Sequence, residues 1–274
     1  MKIIVAKNAG FCFGVKRAVK IALDAAKKGK VYTLGALIHN PPMVEEMRGK
    51  GVVAVDDFRE LNNARVVIPS HGISPKVLEE IESQVDEIID ATCPFVKNAR
   101  EEAVKLSKEC DKLIIVGDKK HPEIRGILPF LSDNVVVVKD ASDLERKTFG
   151  SCGVIAQTTM SEDVFKQVVS KLKSCSENVI VVNTICDATR RRQESTLKLL
   201  KDVDMVIVIG GHNSANTRRL LELCLNNKKT AYQVENVDEL KAEWFKNCKK
   251  VGITAGASTP PWMIEKIKER ISNL

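Results

Sequence analysis

Asn8-Ala9-Gly10-Phe11-Cys12-Phe13-Gly14 sets a cysteine among small residues where the apolar, strand-like run Lys2-Ile3-Ile4-Val5-Ala6 gives way to a helix-like one. The arrangement recurs at Asp90-Ala91-Thr92-Cys93-Pro94 and at Asn183-Thr184-Ile185-Cys186-Asp187. Each cysteine follows an apolar run and precedes a stretch with helical periodicity. Three thiols at equivalent places in three similar segments point to one shared site at the centre of the molecule.

Outward from these positions, strand-like runs alternate with helices of about ten to fifteen residues, the signature of parallel sheets. The first helix, over 15–28, carries Val15, Ala18, Val19, Ala22 and Ala26 on one face, and Gly29 is a natural stop. Counting from each cysteine gives a second repeated position. His39 lies 27 residues after Cys12, His121 28 after Cys93, and His212 26 after Cys186. A third set follows: His71, Thr159 and Ser258 lie 59, 66 and 72 residues after the same cysteines. The period of about 80 to 90 residues is longer than solenoid repeats. It fits three similar small α/β domains, over 1–93, 94–185 and 186–274, in a pseudo-threefold arrangement around a central site. Ligands of open α/β sheets gather at the carboxyl ends of strands, where all nine positions fall. The last helix, over 261–271, is expected to pack back across the first unit.

The 274 residues suffice for a full core, and the composition is ordinary: 44% hydrophobic, 29% charged and 4% aromatic. No basic stretch with an apolar signal run opens the chain, and no run approaches the length of a membrane span, so a cytoplasmic protein is expected. In a reducing compartment eight cysteines serve as buried or metal-binding thiols more often than as bridges. Cys110, Cys152, Cys175, Cys224 and Cys248 have no counterparts at equal spacing and read as small core hydrophobes. Cys12, Cys93 and Cys186 sit beside Gly, Thr or Pro at strand-to-helix turns, where backbone approaches a ligand closely.

Three thiolates with no evident fourth ligand suit two kinds of metal site. One is zinc with an open position, as in a hydrolase acting on a phosphorylated metabolite. The other is a cubane iron–sulfur cluster whose fourth iron lacks a protein ligand and is free to take a substrate oxygen. Spacing does not choose the metal. His39 and His71, with Ser214, Asn216 and Ser258, place imidazole and hydroxyl donors near helix N-termini and suit an anion such as a diphosphate. No Gly-rich Lys loop is present, which argues against a nucleotide-hydrolase site. Glu123, two residues after His121, is the carboxyl group expected to face the centre and the candidate proton donor. The formal charge of +7 suits an anionic ligand or an acidic protein partner. Lysines are spread along helices and no aromatic stacking platform is evident, so nucleic acid is not expected. The run Arg190-Arg191-Arg192 reads as a solvated helix face or a surface on the diphosphate side.

Taken together, these motifs resemble the 4-hydroxy-3-methylbut-2-enyl diphosphate reductase family over essentially the full length. The marks are Ala9-Gly10-Phe11-Cys12-Phe13-Gly14, Leu37-Ile38-His39-Asn40, Ser70-His71-Gly72, Ala91-Thr92-Cys93-Pro94 and His121-Pro122-Glu123. Further along are Gln157-Thr158-Thr159, Thr184-Ile185-Cys186, Asn213-Ser214-Ala215-Asn216 and Ala255-Gly256-Ala257-Ser258. The resemblance implies a [4Fe-4S] cluster held by Cys12, Cys93 and Cys186, with one open iron reached by the substrate's terminal hydroxyl. It implies that His39, His71, Ser214, Asn216 and Ser258 hold the diphosphate, with Ala215 in the same loop. His121 would be a further diphosphate and proton-relay contact, and Glu123 would supply protons through Thr159. Two electrons and two protons would remove the hydroxyl of (E)-4-hydroxy-3-methylbut-2-enyl diphosphate as water, giving isopentenyl and dimethylallyl diphosphate. A ferredoxin or flavodoxin would be the electron donor, and the protein a monomer. Ala215 stands where some relatives carry a second serine, and Asp187 where others carry an aromatic residue after Cys186.

Overall fold

The computed structural model describes residues 1–38, 40–144 and 148–274. One sequence of elements occurs three times. The first copy runs α1 (Phe13–Ala26), β2 (Val31–Leu34), α2 (Pro41–Gly49), β3 (Val52–Val55), β4 (Arg65–Ile68), α3 (Pro75–Glu82) and β5 (Glu87–Asp90), after an opening strand β1 (Lys2–Val5). The second runs α4 (Pro94–Glu109), β6 (Lys112–Val116), α5 (Pro122–Ile127), β7 (Val135–Val138), β8 (Phe149–Ala156), α6 (Glu162–Lys173) and β9 (Ser176–Val181). The third runs α7 (Asp187–Leu200), β10 (Met205–Ile209), α8 (Ala215–Asn226), β11 (Thr230–Val234), β12 (Lys250–Ala255) and α9 (Pro261–Ser272).

Each copy builds a four-stranded parallel sheet. Two sheets are ordered β3-β2-β4-β5 and β7-β6-β8-β9, and the third is β11-β10-β12-β1. The missing fourth strand of the third sheet is therefore the first strand of the chain, with Ile3 opposite Val251. Residues 2–5, counted in sequence with the first unit, pair with the third. The reason is physical: β12 would otherwise expose an edge, and β1 covers it with a parallel ladder. Helix α9 follows suit. Its Met263, Ile264, Ile267 and Ile271 pack on β10 and β12, with Ile3 beside them, rather than across the first sheet.

Helices cover both faces of the sheets, so central strands are apolar without alternation. β10, Met-Val-Ile-Val-Ile, is buried at every residue. On the first sheet, Ala18, Val19 and Ala22 of α1 pack with Met43 and Met47 of α2 and with Val31 and Val67. The other face carries Val66 against Ile81 of α3. The small apolar stripe on α1 allows close helix-to-sheet approach, which brings its N-terminus to the centre.

Candidate active site

The fourth strands β1, β5 and β9 each lead into a cysteine, and each cysteine is the N-cap of the next helix: Cys12 of α1, Cys93 of α4 and Cys186 of α7. A second repeated contact fixes them. The Cys12 amide donates to the Ala257 carbonyl at 3.1 Å, that of Cys93 to Ser70 at 2.9 Å, and that of Cys186 to Thr158 at 3.0 Å. Each acceptor lies two residues beyond a third strand (β12, β4 and β8), and the next residue is Ser258, His71 or Thr159. The loop bearing the later polar group is thus tied directly to the cysteine of the adjoining unit.

All three thiols line one pocket of about 770 Å³, counting its mouth. Gly14 explains part of its shape: a Cβ there would meet Cys93 Sγ at 2.5 Å. Helix N-termini favour thiolates. Cys12 Sγ accepts from the Val15 amide at 3.4 Å, and Cys186 Sγ from the Thr189 amide at 3.4 Å. Burial works in the opposite direction. It pushes the Cys93 thiol up, with the Phe95 and Val96 amides pulling it back, and it pushes the Cys186 thiol up against Thr189. Three half-buried thiols thus stand at three helix N-termini around one pocket. Among the described residues, no three His, Cys, Asp or Glu side chains stand close enough to hold one metal ion.

Arg192 lies beside them, only 2% exposed, and lines the same pocket. One guanidinium nitrogen donates to the Gly10 carbonyl at 2.7 Å and another to the Ala188 carbonyl at 3.2 Å, while Nε has no partner among the described residues. Burial opposes its charge, and the Cys12 and Cys186 sulfurs favour it. The arginine run is therefore split. Arg190 and Arg191 pair with Asp187 at 2.7 and 3.6 Å on the surface, and Arg192 turns inward. Thr189, Arg192, Thr196 and Leu199 form one buried stripe of α7, a helical spacing visible in the sequence but not read there.

Glu123, in the first turn of α5, is 2% exposed. Its carboxyl accepts from the Thr158 amide at 2.7 Å and the Thr158 hydroxyl at 2.6 Å. Burial raises its pKa despite these two bonds. The adjoining Thr159 lines the pocket, and its Oγ1 accepts from the Gln157 side-chain amide at 2.7 Å, which turns the Thr159 hydroxyl proton elsewhere. His121 caps α5: its Nδ1 accepts from the Glu123 amide at 3.2 Å, so its ring proton in the neutral form is on Nε2. Thr158 was absent from the sequence-based set, because nothing in Gln157-Thr158-Thr159 says which threonine faces the acid.

Opposite this group, His71, Ser214, Ala215, Asn216 and Ser258 line the pocket. His71 Nδ1 donates to the Gly72 carbonyl at 3.1 Å, and Ser214 Oγ caps α8 by accepting from the Thr217 amide at 3.3 Å. Asn216 is buried with its Nδ2 unpartnered among the described residues. His39 lies outside the described residues. His212 stands apart: it is exposed, and its ring contacts Glu239 at 3.1 Å. The second repeated position proves to be the helix cap. Asn40, His121 and Ser214 cap α2, α5 and α8, and each lies 28 residues after its cysteine. Of the other cysteines, Cys110, Cys152 and Cys224 are buried, and Cys175 and Cys248 are partly so.

Comparison with known proteins matches residues 3–272 to the LytB protein family. The chain belongs to the LytB family. Two relatives named 4-hydroxy-3-methylbut-2-enyl diphosphate reductase, from Geobacter sulfurreducens and Aquifex aeolicus, are 44% and 45% identical to it. Both alignments cover 99% of this chain, with 97% and 96% of the relative. A solved structure of (E)-4-hydroxy-3-methyl-but-2-enyl diphosphate reductase, the terminal enzyme of the non-mevalonate pathway, is 43% identical over the whole of both chains, with a TM-score of 0.71. The E-1-hydroxy-2-methyl-but-2-enyl-4-diphosphate reductase of Plasmodium falciparum is 26% identical over 100% of this chain and 87% of its own, with a TM-score of 0.91. The LytB architecture of three parallel sheets is thus held at low identity. No helix among the described residues is long and apolar enough to cross a membrane.

Proposed function

We propose that this LytB-family chain is a reductase converting (E)-4-hydroxy-3-methylbut-2-enyl diphosphate, with two electrons and two protons, to isopentenyl or dimethylallyl diphosphate and water. The carrying observation is the pocket itself, where three helix-capping thiols and a buried acid face a set of anion donors. The full-length relatives named for this reaction support the same reading.

Cys12, Cys93 and Cys186 would hold a [4Fe-4S] cluster by three thiolates, leaving one iron without a protein ligand. The donor set fits: three thiols at three helix N-termini, with an arginine as their nearby positive charge. A single zinc ion would require thiolates about 4 Å apart, whereas in a cluster each thiolate takes its own iron. Such a cluster, when bound, would supply electrons for breaking the carbon–oxygen bond. The remaining work falls to the protein. His71, Ser214, Asn216 and Ser258, with His39, bind the diphosphate, and Ala215 lines the loop between the Ser214 and Asn216 donors. That anchoring sets the reacting carbon, where an error of about 1 Å can cost 10²-fold in rate. Glu123, whose protonated form burial favours, would hold the proton for the departing hydroxyl, and Thr158 fixes both carboxyl oxygens. The hydroxyl of Thr159 and Nε2 of His121 relay protons between the acid and the substrate oxygens. A ferredoxin or flavodoxin delivers the electrons.

The test is anaerobic incubation of the cluster-loaded protein with the hydroxylated diphosphate and reduced methyl viologen. Both five-carbon diphosphates should accumulate, with two viologens oxidised per substrate. Unchanged substrate with a fully loaded, reducible protein would refute the assignment.

A further inference from the structure

The pocket has a thin wall. A second groove, on the outside of the molecule, is bordered by Lys7, Phe13 and Arg191, and it shares Cys12, Phe95 and Arg192 with the inner pocket. Cys12 is therefore one residue deep between the two spaces.

The outer groove is unusual in what it exposes. Phe13 is 62% exposed and Phe95 40%, although both begin helices that are otherwise well packed. Scattered apolar residues on a surface require no explanation. Two aromatic rings within two residues of two of the three cysteines, at one groove, do. The charge of its lining is positive on balance: Lys7, Arg191 and the buried Arg192 stand against Asp187, which Arg191 contacts at 3.6 Å. The anion donors proposed for the diphosphate line the inner pocket and are absent from the lining of this groove.

We infer that this groove is the docking surface for an acidic one-electron carrier protein, with Phe13 and Phe95 as the apolar centre and Lys7 and Arg191 as the charged rim. The inference rests on the reductase reading. Each encounter oxidises one carrier by one electron and reduces the site by one, and two encounters supply the two electrons of a turnover. Complementary charge speeds such encounters, and apolar contact at the centre holds the pair while the electron crosses.

The experiment compares two reductants on the cluster-loaded chain: a reduced acidic ferredoxin, and reduced methyl viologen, which needs no docking. The variants are the Lys7→Glu/Arg191→Glu pair and, separately, Phe13→Ser. Lys28→Glu is the control, near the other end of α1, about 20 Å away by helix rise. Charge reversal should cut the second-order rate with ferredoxin about tenfold or more and flatten its salt dependence. The viologen rate should stay within about twofold. Phe13→Ser should slow ferredoxin reduction without changing the salt dependence, and Lys28→Glu should change neither. An unchanged ferredoxin rate in both groove variants, or an equal loss in Lys28→Glu, would overturn the docking surface alone. A parent protein reduced by neither donor would overturn the reductase reading, and this inference with it.

Discussion

Glu123 and Thr158 are joined twice, by the Thr158 amide at 2.7 Å and its hydroxyl at 2.6 Å, across 35 residues of chain. The pair bridges the N-terminus of α5 and the loop after β8, so the acid is positioned by the same loop that receives the Cys186 amide. Held at both oxygens and buried, the carboxyl is fixed against the loop after β8.

Glu123→Gln keeps the shape and the bond from the amide but carries no transferable proton. Turnover should fall by 10² to 10⁴, the usual range for a lost general acid, with iron content and diphosphate affinity unchanged. Steady-state kinetics and iron analysis on one preparation decide it. Retained full activity would remove Glu123 from the acid role.

The same burial has a stability consequence of definite sign. The folded carboxyl has a raised pKa, so on unfolding it releases a proton at any pH between its unfolded value, about 4.3, and the folded one. Its contribution to stability therefore declines as pH rises through that window and levels off above it. The slope is at most about 1.4 kcal/mol per pH unit. Glu123→Gln removes the decline, so its melting temperature relative to the parent should climb with pH from about 4.3 upward. A constant difference across the range would show that the carboxyl titrates normally.

Arg192 is a positive charge beside the thiols that donates to the Gly10 and Ala188 carbonyls. Reduction adds negative charge to the site, and a nearby guanidinium favours it. Arg192→Met should lower the midpoint potential in an anaerobic spectroelectrochemical titration, and Arg192→Lys should restore part of it. An unchanged potential in both would reduce Arg192 to tying α7 to the Gly10 turn.

Asn216 has a buried Nδ2 with no partner among the described residues, so the free protein bears the cost of leaving it unpaired. Asn216→Ala should weaken product diphosphate binding by about tenfold, equivalent to about 1.4 kcal/mol, without lowering the melting temperature. Calorimetry and thermal unfolding separate the two effects. Unaltered affinity would exclude Asn216 from the anion site.

The threefold plan was legible because three cysteines punctuate it, each after an apolar strand and before a helix. Strand pairing was not. Nothing local to Lys2-Ile3-Ile4-Val5 says that its partner is β12, almost 250 residues away. Histidine counting slipped because histidine is not the repeated feature. The constant is a helix cap 28 residues after each cysteine, filled by Asn, His and Ser, which share only the capacity to accept an amide proton. That shift moves the third position from His212 to Ser214. Arg192 was hidden by its neighbours: three arginines in a row suggest a wet face, and only the stripe through Thr189 and Leu199 assigns the last one to the interior.

The most direct measurement is iron and acid-labile sulfide per chain on protein purified without oxygen, for the parent and for Cys12→Ser, Cys93→Ser and Cys186→Ser. The parent should carry about four of each, with a brown colour lost in air, and each variant should lose most of its iron. A colourless parent with about one zinc and no sulfide, or three serine variants that keep the full complement of iron, would contradict the shared three-thiol site.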